Sequence, residues 1–300
     1  MTRLRSVWVK IAAMGMEGLE RRIARIAADR QSGASELLAE AAAILAEALS
    51  TGGLLRPLAT ALIAAQPSMA PMRNAVRAAL LAATPADFDR YIQRAQRAPA
   101  ALVRHAVALL GSESPDTLRL VTISFSATVL RVLESLAQRQ QIQVSCADGQ
   151  PGLEGRRLAE RLASAGIAVT HYTDAALGHA IAGATAVLVG ADAVTPDWFL
   201  NKSGTRMLAA VAGSEGVPVY VAATLDKFVS RDVAGRLDIR EEPPEEVWPA
   251  PPARVRVRNP CFEATSLDLV SAVISEAGVL GGAMVVDACP TAGDELLLNL

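Results

Sequence analysis

The chain has few aromatic residues. Phenylalanine, tryptophan and tyrosine make up 4% of its 300 residues, although hydrophobic residues make up 51%. The interior must therefore be built mainly from alanine, leucine and valine, a composition that favours helices packed on a buried parallel sheet. A chain of this length buries about three quarters of its unfolded surface, which is enough for one large domain or two ordinary ones.

Cysteine is also scarce. The three cysteines are odd in number, lie far apart and lack metal-ligand spacing: Cys146, Cys261 and Cys289. This pattern excludes a disulfide framework and a zinc site and favours a reducing compartment. We therefore predict a cytoplasmic protein without a metal or other cofactor, and we interpret Cys146 and Cys261 as small buried apolar residues.

The sequence has neither a large excess of charge of one sign nor a long apolar run. The formal net charge is −2 and the basic residues are scattered, so no direct nucleic-acid binding is expected. No uncharged run reaches the roughly 18 residues of a membrane helix, because the alanine-rich Leu37–Leu49 contains Glu40 and Glu47. Met1–Lys10 is not followed by an apolar signal region. We expect neither membrane association nor export.

Two nucleotide motifs are absent from the sequence. There is no G-x-G-x-x-G after a strand and no G-x-x-x-x-G-K-[ST], which argues against a dinucleotide fold of the usual kind and against a P-loop NTPase. The histidines are isolated in sequence, and we interpret them as structural: His105, His171 and His179.

The first part of the chain, up to about Gly111, is predicted to be helical. Apolar residues recur on one face at three- and four-residue steps, as in Leu38, Ala41, Leu45 and Leu49. Breaks near residues 51–53, 67–71 and 84–85 predict about four or five helices.

After Gly111 short β-branched runs alternate with amphipathic segments, which predicts βαβ units and a mostly parallel sheet. The fold class is therefore α/β: a helical N-terminal domain over 1–113 and a doubly wound, Rossmann-like domain over 114–300. The proline-rich, acidic Glu241–Pro252 is predicted to be an exposed loop. The predicted strands are Leu118–Ile123, Ile142–Ala147, Ala168–His171, Ala186–Gly190, Val217–Ala222 and Met284–Val286, and the predicted helices between them include Thr128–Gln138, Leu153–Ala165, Asp174–Ala182 and Gly204–Ser214.

Ligands of open α/β sheets bind at the carboxyl ends of the strands, and polar clusters follow three of the predicted strands there. Thr122–Thr128 offers the hydroxyls of Ser124 and Ser126, although helix capping is the favoured reading of such residues. In Gly152–Arg157 the glycines allow close backbone approach and Arg156 can hold a phosphate. A loop with a solvated helix start is an equally good interpretation of this second cluster.

A third cluster follows the predicted strand Ala186–Gly190. Asp192 stands at the end of an apolar strand, where an unpaired carboxylate would be desolvated, and Lys202 lies close by in sequence next to Asn201. Lys202 could pair with Asp192 or bind a phosphate. We interpret this cluster as functional, with Asp192 and Lys202 converging to receive an anion-bearing small molecule.

Six spaced motifs from about Leu118 to Val286 resemble the translation initiation factor 2B alpha/beta/delta family, which includes ribose-1,5-bisphosphate isomerase and methylthioribose-1-phosphate isomerase. They occur in order as Leu130–Glu134, Gly152–Arg156, Val189–Val194, Asn201–Thr205, Val219–Ala223 and Asn259–Thr265. A weaker match, Asp29–Leu37, resembles the segment that meets the ligand phosphate in this family.

The resemblance implies a site and a set of roles. Isomerase members bind a sugar phosphate with residues of the helical region and the sheet, and use a cysteine and an aspartate for acid–base chemistry. The aspartate corresponds to Asp192, and Asn201 and Lys202 to ligand contacts, whereas the cysteine is replaced by Ser124. The phosphate segment contributes Arg30, Ser32, Gly33 and Ala34, and Gln66 stands where an Arg-Pro pair is usual.

The replacements at Ser124 and Gln66 favour a non-catalytic role: a regulatory protein that binds a sugar phosphate or nucleotide monophosphate and forms a homodimer. The alternative is an aldose–ketose sugar-phosphate isomerase in which Asp192 is the acid–base and Ser124, Ser126 or a water replaces the cysteine. A scaffold with an empty pocket would leave Asp192, Asn201 and Lys202 unexplained. Kinship by itself assigns no role in translation.

Overall fold

A computed structural model describes residues 17–29, 34–51, 55–111, 117–239, 241–291 and 293–300. The chain divides into two compact units, of which the first comprises 1–97 with 226–238 and 289–300, and the second comprises 98–225 with 239–288. The predicted division between residues 113 and 114 lies outside the described residues. The long helix Pro85–Leu110 contributes residues to both units.

The first unit is helical, and the described residues from Glu17 to Leu110 contain five helices. Arg22 ties the first helix to the second, because its Nε lies 2.6 Å from Glu40 Oε1 and its Nη1 lies 2.9 Å from Glu47 Oε2. The predicted apolar face is buried at Leu38 and Leu45. The helices described here are α1 (Glu17–Ala28), α2 (Ala34–Thr51), α3 (Leu55–Ala65), α4 (Ala70–Leu81) and α5 (Pro85–Leu110).

Two segments from late in the sequence complete the first unit, with helices α9 (Arg231–Ala234) and α11 (Asp294–Leu298). The α4 residue Asn74 donates through Nδ2 to the carbonyl oxygens of Asp226 at 2.6 Å and Phe228 at 2.8 Å. Arg77, also on α4, lies 3.3 Å from Asp294 Oδ1. These contacts explain why the compact unit is discontinuous in sequence.

The second unit is built on a seven-stranded sheet in the order β3-β2-β1-β4-β7-β9-β10. All neighbouring strands are parallel except β9 and β10. The predicted doubly wound, mostly parallel α/β fold is thereby confirmed. The strands are β1 (Thr117–Val121), β2 (Gln141–Ala147), β3 (Ala168–Tyr172), β4 (Ala186–Gly190), β7 (Val219–Ala222), β9 (Ala272–Ser275) and β10 (Gly278–Leu280).

Helices cover this sheet and close its core. The core joins apolar residues of the strands to Leu102, Ala106 and Leu110 from the second half of α5. The covering helices are α6 (Ala127–Ala137), α7 (Glu154–Ser164) and α8 (Thr205–Ser214), with a 3₁₀ helix over Asp174–Ile181. All four were predicted to within two residues at each end.

A second, three-stranded sheet was not predicted. It consists of β5 (Ala193–Val194), β6 (Trp198–Lys202) and β8 (Phe262–Ser266), which pair antiparallel in the order β5-β6-β8. Asn201 and Lys202 are therefore the last residues of a strand rather than part of a loop. Strand pairing therefore fixes the backbone at both positions.

One predicted strand is wrong. Met284–Val286 belongs to helix α10 (Gly282–Ala288), in which Val285 is buried while Met284 and Val286 are exposed. A short apolar run does not distinguish a strand from a helical turn. The final strands, β9 and β10, lie just before it.

The loop at Glu241–Pro252 is exposed over most of its length, as predicted, and contains one 3₁₀ turn, Pro244–Glu246. Glu241 forms an ion pair with Arg258. Within the described ranges, no helix combines the length and the apolar character required to cross a membrane.

Candidate functional site

The polar residues of the second unit gather where the strand order of the large sheet reverses. Strand β1 lies between β2 and β4, so the chain leaves the ends of β1 and β4 in opposite directions. Ser124 follows β1 and Asp192 follows β4. In a doubly wound sheet, this switch point is where ligands bind.

Glu154 is the centre of the polar cluster. Its Oε1 accepts a hydrogen bond from Ser124 Oγ at 3.0 Å and lies 2.8 Å from Lys202 Nζ. The Lys202 side chain is 7% exposed and that of Glu154 is 21% exposed. A buried ammonium group requires a counter-charge, and Glu154 supplies it. We call Ser124, Glu154 and Lys202 the switch-point triad.

The backbone around the triad adopts conformations that non-glycine residues rarely use. Ser124 has φ +66° and Leu153 has φ +57°. Such left-handed residues store about 1–3 kcal/mol of strain each and concentrate at functional sites. At Gly152 a Cβ atom would lie 2.7 Å from Glu154 Oε2, so only glycine leaves room for the carboxylate in its observed position.

Asn201 holds the turn from β6 into α8. Its Nδ2 donates to Thr205 Oγ1 at 3.0 Å, and that hydroxyl donates to the Lys202 carbonyl oxygen at 2.6 Å. Glu263 Oε1 accepts from the backbone N–H groups of Gly204 and Arg206 at 2.8 and 2.9 Å. Helix N-termini attract anions, and here a carboxylate of the chain already occupies the N-terminus of α8.

Asp148 supports the loop that carries Glu154. Its Oδ1 lies 2.8 Å from Arg156 Nε and 2.9 Å from His171 Nε2. The hydrogen bond from Arg156, and next that from His171, lower the pKa of Asp148 to about 2. His171 thus helps to hold Asp148 in place. The neighbouring Cys146 is buried, and desolvation raises the pKa of its thiol to about 11, which suits an inert residue.

The remaining predicted site residues of the second unit have the following positions. Ser126 caps α6, because its Oγ accepts from Val129 N at 3.3 Å, in line with the capping interpretation. Arg156 directs Nε to Asp148. Asp192 is half-buried, and its backbone N–H donates to Leu200 O at 2.8 Å. The ion-pair partner found for Lys202 is Glu154; the predicted convergence of Asp192 and Lys202 stays a prediction.

The predicted phosphate segment belongs to the first unit. Ala34 is the first residue of α2 and is half-buried, whereas Arg30, Ser32 and Gly33 lie outside the described residues. Gln66 donates through Nε2 to the Ile26 carbonyl oxygen at 2.8 Å. In this position Gln66 joins the segment after α3 to α1.

Sequence reasoning missed Glu154 as a site residue, although it placed the surrounding loop after a strand. The available signal was an acidic residue between Gly152 and Gly155 at the start of a predicted helix. The space that a glycine leaves for a neighbouring side chain cannot be recognised from hydrophobic periodicity. The contribution of His171 to the same loop was missed because residues 148 and 171 lie on different strand ends.

A doubly wound parallel sheet with a polar triad at its switch point defines a Rossmann-like α/β protein. A family model described as the Initiation factor 2 subunit family matches residues 10–282. The chain belongs to this initiation factor 2B family.

Individual relatives agree with that assignment. A translation initiation factor eIF-2B subunit 2-like protein of Pyrococcus horikoshii is 30% identical over 84% of this chain and 92% of its own length. A ribose 1,5-bisphosphate isomerase of Methanocaldococcus jannaschii is 28% identical over 75% of this chain and 76% of its own length. A crystal structure of the Pyrococcus horikoshii OT3 translation initiation factor eIF-2B superposes with TM-score 0.75 and 27% identity, covering 88% of this chain and 97% of that one.

Proposed function

We propose that the chain binds a small phosphorylated metabolite, a sugar phosphate or a nucleotide monophosphate, at the switch-point triad and does not convert it. The observation that carries this proposal is the buried ion pair between Lys202 and Glu154. A ligand phosphate or hydroxyl that reaches Lys202 competes with Glu154 for the ammonium group. Binding is then an exchange of partners, which suits a sensor more than a rapid catalyst.

Ser124 supports the non-catalytic reading. By resemblance, the isomerases have a cysteine at this position, and a serine hydroxyl is a far weaker acid than a thiol. By the same resemblance, Gln66 stands where the isomerases usually have an arginine that contacts phosphate. The replacement removes a charged hydrogen bond, which is typically worth about 1.5–3 kcal/mol. The Ser124 replacement lowers turnover without removing a charged ligand contact, whereas the Gln66 replacement weakens the contact with phosphate.

The test is binding and turnover of ribose 1,5-bisphosphate, methylthioribose 1-phosphate and adenosine monophosphate by the purified full chain. We expect at least one of them to raise the melting temperature without conversion detectable by NMR. Lys202→Met should abolish the shift, while Arg206→Met, which removes an exposed cation nearby, should retain it. Conversion at an ordinary enzymatic rate would overturn the non-catalytic proposal, and the absence of any shift would overturn binding.

A second candidate function is sugar-phosphate isomerisation. The hydrogen bond of 3.0 Å from Ser124 Oγ to Glu154 Oε1 favours it, because the carboxylate supplies the base that the serine needs. One relative is named ribose 1,5-bisphosphate isomerase. If the wild-type chain turns over a phosphosugar, Asp192→Asn and Glu154→Gln should each abolish the reaction while circular dichroism stays unchanged.

We also propose that the chain forms a homodimer and works in the cytoplasm. The resemblance to the family supports the dimer, and the three free, buried cysteines suit a reducing compartment. Sedimentation velocity of the full chain at micromolar concentration tests the dimer. A single species with the mass of one chain would contradict it.

A further inference from the structure

The first half of helix α5 carries a row of three exposed arginines in the first unit. Arg90, Arg94 and Arg97 recur at steps of four and three residues and are all exposed. This spacing places side chains on one face of a helix, and at about 1.5 Å per residue the row is about 10 Å long. We call these three residues the arginine row. It contains none of the residues that the proposed function uses.

The charge of the arginine row is only partly balanced. Asp87 Oδ1 binds Arg90, but the sequence contains no acidic residue from Arg90 to Leu110, the end of the helix. Among the residues that the structure describes, Arg94 and Arg97 have no hydrogen-bond or ion-pair partner. This face of α5 is therefore complementary to an acidic partner.

An apolar depression adjoins the arginine row. It has a volume of about 390 Å³, lies where α4 ends and α5 begins, and includes Arg94 in its lining. Leu81, one of its lining residues, is 52% exposed, and Ala78, Ala82 and Ala83 extend its apolar surface. An exposed apolar surface next to charged groups is typical of a protein–protein contact.

The other charged groups at the depression are engaged within the chain. Arg77 lies 3.3 Å from Asp294 Oδ1, and Asp87 Oδ2 accepts from the backbone N–H and the hydroxyl of Thr84. The polar groups that a partner meets are therefore those of the arginine row, while the depression itself offers apolar contacts.

The aromatic group at the depression does not favour a nucleic acid. Tyr91 stacks on the buried Phe88, with ring centroids 6.1 Å apart. Surfaces that bind single-stranded nucleic acid combine positive charge with aromatic rings on which bases stack. Here the ring is occupied by another ring of the chain, and the surface next to the arginines is aliphatic.

We propose that this face binds an acidic helical segment of a partner protein. Carboxylates one helical turn apart on the partner pair with Arg94 and Arg97, because guanidinium groups bind carboxylates in a bidentate geometry. One large apolar side chain of the partner enters the depression beside Leu81 and anchors the segment.

The test measures binding of a fluorescein-labelled acidic peptide to the full chain by fluorescence anisotropy. The peptide has about fifteen residues, enough for a helix, with glutamates at three- and four-residue steps around one tryptophan. We expect a dissociation constant in the micromolar range, and about tenfold weaker binding when glutamine replaces every glutamate. No binding of the acidic peptide, or equal binding of the two peptides, overturns the proposal. Tighter binding of a uridine oligonucleotide of the same charge also overturns it and assigns the face to nucleic acid.

A matched pair of double variants locates the surface. Arg94→Glu with Arg97→Glu reverses the charge of the arginine row, and Arg21→Glu with Arg56→Glu makes the same change in net charge at exposed positions of α1 and α3. We expect the first to weaken binding of the acidic peptide about tenfold or more and the second to weaken it less than about threefold. Equal losses overturn the proposal. If the first variant fails to fold, the comparison of the two peptides decides.

Leu81→Ala tests the apolar anchor. We expect it to weaken binding of the tryptophan peptide about fivefold. A peptide with alanine in place of the tryptophan should bind the wild type and this variant equally. Unchanged affinity of Leu81→Ala for the tryptophan peptide overturns the assignment of the depression to an apolar side chain.

Discussion

At the scale of single residues, the site depends on one carboxylate that serves two donors. Glu154 Oε1 lies within hydrogen-bond distance of both Ser124 Oγ and Lys202 Nζ. Removing one member of such a pair leaves an uncompensated charge in a poorly hydrated place, which is more unfavourable than removing both. The pair therefore couples the stability of the fold to the chemistry of the site.

Lys202→Met should destabilise the protein by about 2–3 kcal/mol. This loss is somewhat smaller than the loss from breaking a fully buried ion pair, because Glu154 is partly exposed to solvent. Adding Glu154→Gln to that variant should recover about 1 kcal/mol or more, since the unpaired charge is removed. Urea unfolding of both single variants and the double variant measures this coupling.

The control for this double-mutant cycle is a second cycle with Arg206→Met and Glu263→Gln. That pair is separated by 3.8 Å, and its arginine is 67% exposed, so its coupling should stay below about 0.5 kcal/mol. Strictly additive effects at Lys202 and Glu154 would contradict our account of the triad.

Asp148 gives the protein a defined acid sensitivity. Hydrogen bonds from Arg156 and His171 lower the pKa of Asp148 from 3.8 to about 2. Because the folded-state pKa is below that of the unfolded chain, this contribution to stability is complete above about pH 4 and is lost as the pH falls towards 2. The difference in unfolding free energy between wild type and Asp148→Asn should therefore stay constant above about pH 4 and narrow as the pH falls from there towards 2.

Urea unfolding at several pH values checks the acid prediction. Glu160→Gln, at an exposed position of α7, serves as the control, and its difference from wild type should stay constant over the same range. A constant difference for Asp148→Asn as well would show that its carboxylate is not stabilised by these partners.

Individual site residues could be predicted from the sequence to different extents. Lys202 and Ser124 were predicted as site residues, because they follow apolar runs and lie near glycines or hydroxyl residues. In the structure both side chains contact Glu154. Glu154 itself was not singled out. Its role comes from a left-handed turn at Leu153 and from space left by Gly152, neither of which periodicity or composition encodes.

At the scale of elements, the start of α7 is set by how closely it approaches strand β2. A Cβ atom on Gly155 would lie 1.7 Å from the Ala147 carbonyl oxygen. Gly155→Ala should therefore destabilise the protein by about 3 kcal/mol or more, because the helix cannot move away without disrupting the loop that carries Glu154.

Gly213→Ala is the matched control within a helix of the same unit. Nothing lies within 4 Å of a Cβ atom at Gly213, so the change should stabilise the protein by about 0.5–1 kcal/mol through helix propensity. Chemical denaturation of both variants provides the comparison. Similar effects of the two substitutions would refute the close approach at Gly155.

The βαβ elements were predictable because each buried strand is a continuous apolar run bounded by turn residues, as at Ala186–Gly190. The antiparallel elements were not. β5 has two residues and β10 has three, so neither is long enough for alternation to be recognised. The second sheet depends on pairing between β6 and β8, which lie some sixty residues apart and share no local signal.

At the scale of the whole molecule, the order of the sequence does not follow the compact units. The segments 226–238 and 289–300 return to the helical unit after the chain has built most of the sheet. Hydrogen bonds from Asn74 and the ion pair of Arg77 hold these segments to α4. Contacts between residues this far apart are invisible to local patterns, so the discontinuous division could not be predicted.

Ending the chain at Ala288 should destabilise the helical unit in particular. The truncation removes the buried Leu297 and Cys289 and leaves Arg77 without Asp294, so the loss should be about 3 kcal/mol or more. Hydrogen exchange should show reduced protection in α4, against which α11 packs, and unchanged protection in α6 of the sheet unit. Asn299→Ala, at an exposed position of the same segment, should change neither region. An equal loss of protection in α4 and α6 would contradict this prediction, because the C-terminal segment would then stabilise both units alike. Unchanged protection in α4 would show that the packing of α11 against α4 does not stabilise that helix.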